Sequence, residues 1–333
     1  MIITRRTAMI GAAAAALASG RSGRAAAGGG WSPGPALPIA TQEVYPTEHQ
    51  GLLYLAGGIA SWNAGPFISA RVDIYDPAGK AWSRGPDLPQ ARHHVTLLST
   101  GETLYAIGGH YGAIPGGLWQ MRDTVWTLAK DGWADGVALP QPQAEMTSAV
   151  LDGRLHLVGG RHIRASANQD RSDHGDVTDH LVFDPDTNRW QRAAPASRPR
   201  NSAAGGVLRG RFHIVGGRQE ADNMTLHEAY DPMEDKWFEM APLPKPQAGL
   251  AGAVLDGMLY VFGGEIFQPR RGVFAEAWMY DLMADRWQPI ADLPTPRHGL
   301  GAVRLGEAIH VVAGATEPGG SGRSPAHEIY RAG

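Results

Sequence analysis

Six short apolar segments punctuate the chain, each closing on a glycine pair or a near equivalent: LLYLAGG to Gly58, TLYAIGG to Gly109, RLHLVGG to Gly160, RFHIVGG to Gly217, MLYVFGG to Gly264 and AIHVVAG to Gly314. Twenty-one positions before each final Gly stand Leu37, Leu88, Leu139, Ala196, Leu243 and Leu293, all but Ala196 followed by Pro. A second apolar or aromatic stretch follows in each unit, with a Trp seven residues after its marker: Tyr75 to Trp82, Trp126 to Trp133, Phe183 to Trp190, Tyr230 to Trp237 and Tyr280 to Trp287. The period is near 50 residues. Short apolar runs bounded by Gly, Pro and Asp-Pro turns predict four-stranded antiparallel units.

The last unit ends at Glu328-Ile329-Tyr330 without a Trp, and the missing piece stands at the other end of the chain. Trp31-Ser32-Pro33-Gly34-Pro35-Ala36-Leu37-Pro38 matches Trp82-Ser83-Arg84-Gly85-Pro86-Asp87-Leu88-Pro89. An N-terminal strand is therefore expected to complete the last unit and close a ring, which removes exposed sheet edges. The expected fold is all-β: a six-bladed β-propeller over residues 28–333. The glycine pairs, the Tyr-Asp-Pro turns and the Trp at this period resemble the kelch repeat family across that whole stretch. Ala313 departs from the pattern, as does Thr127-Leu128 where Asp-Pro is usual. The Trp residues, the Gly pairs and the residues four before each final Gly (Tyr54, Tyr105, His156, His213, Tyr260, His310) read as packing between blades.

Residues 1–27 read as an export signal, which narrows the compartment. Thr4-Arg5-Arg6-Thr7-Ala8-Met9-Ile10 leads into a short apolar run and then Arg24-Ala25-Ala26-Ala27, resembling a twin-arginine signal. A periplasmic or secreted product with no membrane anchor is expected. Cleavage near Ala27 removes four arginines and no acid from a chain of net charge −3, leaving −7. That balance, with only 19% charged residues, argues against nucleic-acid binding. Gly and Pro make about a fifth of the chain and hydrophobic residues 43%, as in a folded domain.

Strand direction sorts the loops. If each unit runs outward from a central channel, the residues leading into its first strand share a face with those leaving its second. The lead-in triplets are Thr41-Gln42-Glu43, Arg92-His93-His94, Gln143-Ala144-Glu145, Arg200-Asn201-Ser202, Gln247-Ala248-Gly249 and Arg297-His298-Gly299. Directly after the glycine pairs stand Ile59, His110, Arg161, Arg218, Glu265 and Ala315. These positions vary from unit to unit. From them Arg92, His93, His94, Arg161, Arg200, Arg218, Arg297 and His298, with His162 beside Arg161, are expected to hold a small polar or glycan ligand by charge-assisted hydrogen bonds. Trp62, Phe67, Tyr111, Trp119, Phe267 and Phe274 add stacking surfaces suited to a sugar or an acidic sugar. A protein partner on the same face is compatible with this reading.

The third unit carries the longest such loop, Arg161 to Asp179, read as a charged, mobile lid. His174, Asp176, Asp179 and His180 match no ligand spacing, so no metal is expected. Gly319-Gly320-Ser321-Gly322 lacks a phosphate-loop lysine, and no Gly-x-Ser-x-Gly elbow occurs.

Two kelch-type enzymes set the catalytic alternatives. Periplasmic sialic acid mutarotases are six-bladed kelch propellers with an active-site Glu in a Gly-Glu pair and an Arg six residues on; Gly264-Glu265 with Arg271 is similar. That resemblance implies Glu265 as base, Arg271 or Arg218 on a sugar carboxylate, and His110 or His162 as acid, with no cofactor. Galactose oxidase also uses kelch blades, but its radical cofactor joins a Tyr to a Cys, and this chain has no Cys.

Overall fold

The computed structural model describes residues 29–62, 65–112 and 117–333. The expected export signal lies outside them. None of the described helices is long and apolar enough to cross a membrane.

The described chain is almost entirely antiparallel β structure, arranged in four-stranded sheets. In chain order the first five sheets begin with the strands Thr47–His49, Thr96–Ser99, Thr147–Leu151, Ala204–Leu208 and Ala251–Leu255, and each adds three further strands in chain order, a short separate hairpin intervening between its second and third. The sixth takes Gly301–Leu305, Ala308–Val312 and His327–Arg331 from the end of the chain and Gly30–Pro33 from its beginning. The register pairs Gly30 with Arg331 and Trp31 with Tyr330. The first strand of every sheet touches those of two neighbours, the sixth meeting the first.

One apolar cluster fills each wedge between neighbouring sheets. Leu37 packs with Leu53, Leu55 and Val303, for instance, and Leu293 with Phe262, Val311 and Tyr330. The repeated Trp residues tie these wedges together. The indole Nε1 of Trp82 donates to Pro35 O (2.9 Å), Trp133 to Pro86 O (2.9 Å), Trp190 to Val137 O (3.0 Å), Trp237 to Ala194 O (2.7 Å), Trp287 to Ala241 O (2.8 Å) and Trp31 to Ala291 O (3.1 Å). Each bond reaches the preceding unit.

The glycine pairs have a steric reason. Gly57 sits at φ +69, and a Cβ there would stand 2.2 Å from Arg92 O, the carbonyl of the next unit's first lead-in residue. Gly58 N donates to that same oxygen at 2.7 Å, and the equivalent bond recurs in every unit, ending with Gly314 N to Thr41 O at 2.8 Å. Ala313 takes the same left-handed backbone, φ 60, without the glycine.

Three of the His residues expected to pack between units do so in pairs. His156 Nδ1 meets His180 Nε2 (2.9 Å), His213 meets His227 (2.9 Å) and His310 meets His327 (2.8 Å). Each pair sits against a Tyr and Trp of another unit, His180 for example against Tyr230 and Trp237.

Candidate functional site

Lead-in triplets and post-glycine residues do share one face. The second lead-in residue bridges the first residue after the glycine pair: His93 with His110, Ala144 with Arg161, Asn201 with Arg218, Ala248 with Glu265 and His298 with Ala315. The third lead-in residue then turns into a left-handed conformation in all six units, with φ of 59, 54, 59, 54, 67 and 58 at Glu43, His94, Glu145, Ser202, Gly249 and Gly299. Bonds between these residues link neighbouring units: Glu43 N to Gly299 O, His94 N to Glu43 O, Ser202 N to Glu145 O, Gly249 N to Ser202 O and Gly299 N to Gly249 O, at 2.8–3.2 Å.

This inner circle forms the base of a cavity of about 250 Å³. Glu43, Glu145, Glu220 and Glu265 contribute carboxylates, Arg171 and Arg218 cations, and Trp119 and Phe267 aromatic walls. Both arginines are paired. Arg218 Nη2 donates to Glu265 Oε1 at 2.6 Å, and Gly319 N to Glu265 Oε2 at 2.8 Å. Arg171 Nη1 donates to Glu145 Oε1 at 3.1 Å, and Ser202 Oγ to Glu145 Oε2 at 3.2 Å. Glu43 Oε2 faces His94 Nε2 at 2.9 Å, while Glu43 Oε1 has only His298 Nδ1 near it, at 3.7 Å. A second, smaller cavity of about 120 Å³ is lined by Tyr45, Leu97, Met146, Ala203, Leu250 and Leu300 among others.

The local fields follow from this packing. Burial by itself raises the Glu43 carboxyl, but His94 beside it, with His298, brings it down to about 2. Burial likewise opposes ionisation of Glu145, and Arg171 and His110 hold it well below the usual carboxylate range. Burial pushes His110 down to about 4 against the pull of Glu145. Burial, with His94 and His110 nearby, drives His93 well below an ordinary imidazole.

Of the residues read from sequence, His94, Arg218, Glu265 and His298 line the cavity. His93 and His110 lie fully buried just behind it, His93 stacked on His110 with ring centroids 5.1 Å apart. Arg92, Arg200 and Arg297 do not reach the mouth. They are buried in the wall, where Arg200 pairs with Glu228, Arg297 Nη1 meets Glu328 Oε2 at 2.6 Å and Arg92 Nη2 donates to Thr124 Oγ1 at 2.8 Å. Gln143 and Gln247 fill the same position and donate to Gly159 O and Gly263 O. Arg161 serves the third loop, donating to His174 O at 2.7 Å, and His162 packs against Gln141 and Asp179 outside the cavity. Arg271 is exposed on the rim, donating to Pro318 O at 3.1 Å, and is not among the residues lining the cavity.

The long third loop is ordered rather than loose. Asn168 clamps Met121, accepting from its N–H at 2.9 Å and donating to its carbonyl at 3.0 Å, and this anchors the turn that sends Arg171 over Trp119 into the cavity. His174, Asp176, Asp179 and His180 are dispersed. His180 belongs to its wedge pair and Asp176 accepts from Asn201 and Glu220 N, and no group of His, Asp and Glu able to hold a metal occurs among the described residues.

Sheet geometry and a cavity at one end of the repeating units define a β-propeller with a site at its mouth. Residues 43–264 match the family model described as the KLHDC2/KLHL20/DRC7 Kelch-repeats domain, and residues 248–294 match the Kelch motif. The chain belongs to the kelch-repeat family. It is 31% identical over 154 residues to Kelch-like protein 34 of Homo sapiens, covering 46% of this chain and 23% of that protein. Kelch-like protein terF of Aspergillus terreus is 24% identical over 57% of this chain and 43% of its own length. The chain thus spans less than half the length of these relatives. The solved structure of YjhT superposes with a TM-score of 0.73 at 15% identity, covering 90% of this chain and 96% of that one, a likeness of fold.

Proposed function

We propose that the protein is a six-bladed kelch propeller, closed by its N-terminal strand, that binds a small uncharged polar ligand of the carbohydrate class in the mouth cavity. The observation that carries the ligand class is that the cavity arginines are already paired. Both cavity arginines are already paired with buried carboxylates, so a ligand carboxylate would have to displace Glu145 or Glu265. Hydroxyl groups instead find acceptors at Glu43, and Phe267 and Trp119 offer walls for a sugar ring. The volume suits a single ring. Calorimetric titration with D-galactose, N-acetylglucosamine and myo-inositol beside N-acetylneuraminate tests the reading. A neutral compound should bind, with Phe267→Ala weakening it about tenfold, roughly 1.4 kcal/mol; binding of the acidic sugar alone would reject it.

A sugar-isomerase reading is favoured by one observation, the placement of Glu265 inside the cavity 3.5 Å from His298 Nδ1. NMR exchange between the anomers of each bound sugar, accelerated by wild type and not by Glu265→Gln, would support it; no acceleration removes it.

We further propose that the chain is exported, on the strength of the Arg5-Arg6 segment. Cell fractionation of the wild type and a double Lys variant at these positions is the test, retention of only the variant in the cytoplasm being expected.

A further inference from the structure

Counting hydrogens behind the cavity shows one more than two neutral imidazoles can supply. His93 Nε2 lies 2.8 Å from Leu118 O, a carbonyl that only accepts, so this nitrogen carries a hydrogen. His93 Nδ1 and His94 Nδ1 are 2.6 Å apart, a contact that needs a hydrogen between them. His94 Nε2 stands 2.9 Å from Glu43 Oε2, and that contact needs a third. Two neutral imidazoles hold two. The third hydrogen sits either on the histidine pair, beside an ionised Glu43, or on Glu43 itself.

We propose that Glu43, His94 and His93 form a proton relay that opens into the cavity at Glu43, making Glu43 the group that exchanges a proton with a bound hydroxyl-bearing ligand. In the resting state His94 is the imidazolium, His93 the neutral Nε2–H tautomer and Glu43 the carboxylate. When the relay acts as an acid, the His94 Nε2–H bond breaks as an O–H bond forms at Glu43 Oε2; that Glu43 O–H bond then breaks as the proton passes to a ligand ring oxygen whose C–O bond opens. The pair is left neutral until a proton returns by the same route. His94 and His93 are positioning residues; Glu43 is the one that touches the ligand.

Of Glu43, Glu145 and Glu265, Glu43 alone is open to this role; Glu220, the fourth carboxylate lining the cavity, is exposed. Both oxygens of Glu265 are engaged, by Arg218 and Gly319 N, and both of Glu145, by Arg171 and Ser202. The Glu43 side chain is 18% exposed against 5% for Glu265 and 1% for Glu145. The relay is walled by Trp119, whose ring lies 4.9 Å from His93 and 5.8 Å from His94, and by Tyr45, 6.1 Å from His94. His110 stacks behind it, His298 faces Glu43, and Glu145 with its partner Arg171 completes the charged surroundings. Burial of His93 beside two further histidines fits its place as the neutral member.

The proposal rests on the ligand reading only for what enters the cavity, and its test uses no ligand. Side-chain ¹⁵N NMR of the full chain across pH should show one doubly protonated imidazole in the wild type at pH 7, assigned to His94 through Glu43→Gln. In Glu43→Gln neither imidazole of the pair should be doubly protonated at pH 7, because the acceptor that needs the third hydrogen is gone. Neutron diffraction of wild-type crystals, which needs no variant, should place hydrogen on both His94 nitrogens and on His93 Nε2. Two neutral imidazoles in the wild type with an ionised Glu43, or a charge state untouched by Glu43→Gln, would overturn the relay. A relay that is present while no sugar binds would refute the ligand class alone.

Discussion

Glu43, His94, Glu145 and Ser202 share a left-handed backbone that side chains usually avoid, and that geometry puts them on the cavity floor. The sequence shows these residues as the third members of variable triplets, but their type alone does not reveal which member points inward. The first members misled for the opposite reason. Arg92, Arg200 and Arg297 alternate with Gln143 and Gln247, and the arginines, like the glutamines, are buried in the wall. Their strongest case is Arg200 with Glu228, side chains 2% and 3% exposed. Removing the acid strands the guanidinium, so Glu228→Ala should cost about 3–5 kcal/mol in urea unfolding. A double change of Arg200 and Glu228 to Gln and Ala should recover part of that loss, because it leaves no lone charge. Arg271, placed by its six-residue spacing from Glu265, fell outside because the intervening hairpin carries it out to the rim.

Between elements, the wedge pairs follow a rule that was visible in the chain once the strands were aligned. Where the second strand carries Tyr54, Tyr105 or Tyr260, the third begins Val72, Val125 or Ala277; where it carries His156, His213 or His310, the third begins His180, His227 or His327. Half of the pattern, the Tyr or His before the glycines, reads directly from the repeat. The partner histidines sit across a loop of variable length, which hides the match. Burial lowers His156, His213, His310 and His327 to about 4 and His180 and His227 to about 3. These folded values lie below the ordinary 6.5, so the unfolded chain binds more protons and stability rises with pH through this range. Stability should be full above about pH 6.5 and decline as pH falls toward 4. Urea midpoints measured from pH 7.5 to 4 should show this slope, and a His213→Tyr, His227→Val variant should flatten it; equal slopes would contradict the assignment.

For the molecule as a whole, the repeating all-β units and the pairing of the first strand with the last were legible because every unit repeats the same landmarks, Trp31 included. What the repeat conceals is asymmetry. The third loop, read as mobile, is tied to the second unit by Asn168 and delivers Arg171, a residue that no repeat position predicts. The last sheet also depends on a short terminal strand. Deleting residues 1–35 removes the pairing of Gly30–Pro33 with His327–Arg331 and the Trp31 contact with Phe262 and Tyr330. Such a chain should unfold at clearly lower denaturant than one lacking only residues 1–28, whereas equal midpoints would contradict closure through this strand.

The central claim, a neutral ligand seated over the inner circle, is tested most directly by a crystal structure of the full propeller soaked with the tightest-binding neutral sugar. A sugar ring should lie against Phe267 or Trp119 with a hydroxyl within hydrogen-bond distance of Glu43. A sugar bound elsewhere, or one whose carboxylate has displaced Glu265 from Arg218, would contradict it.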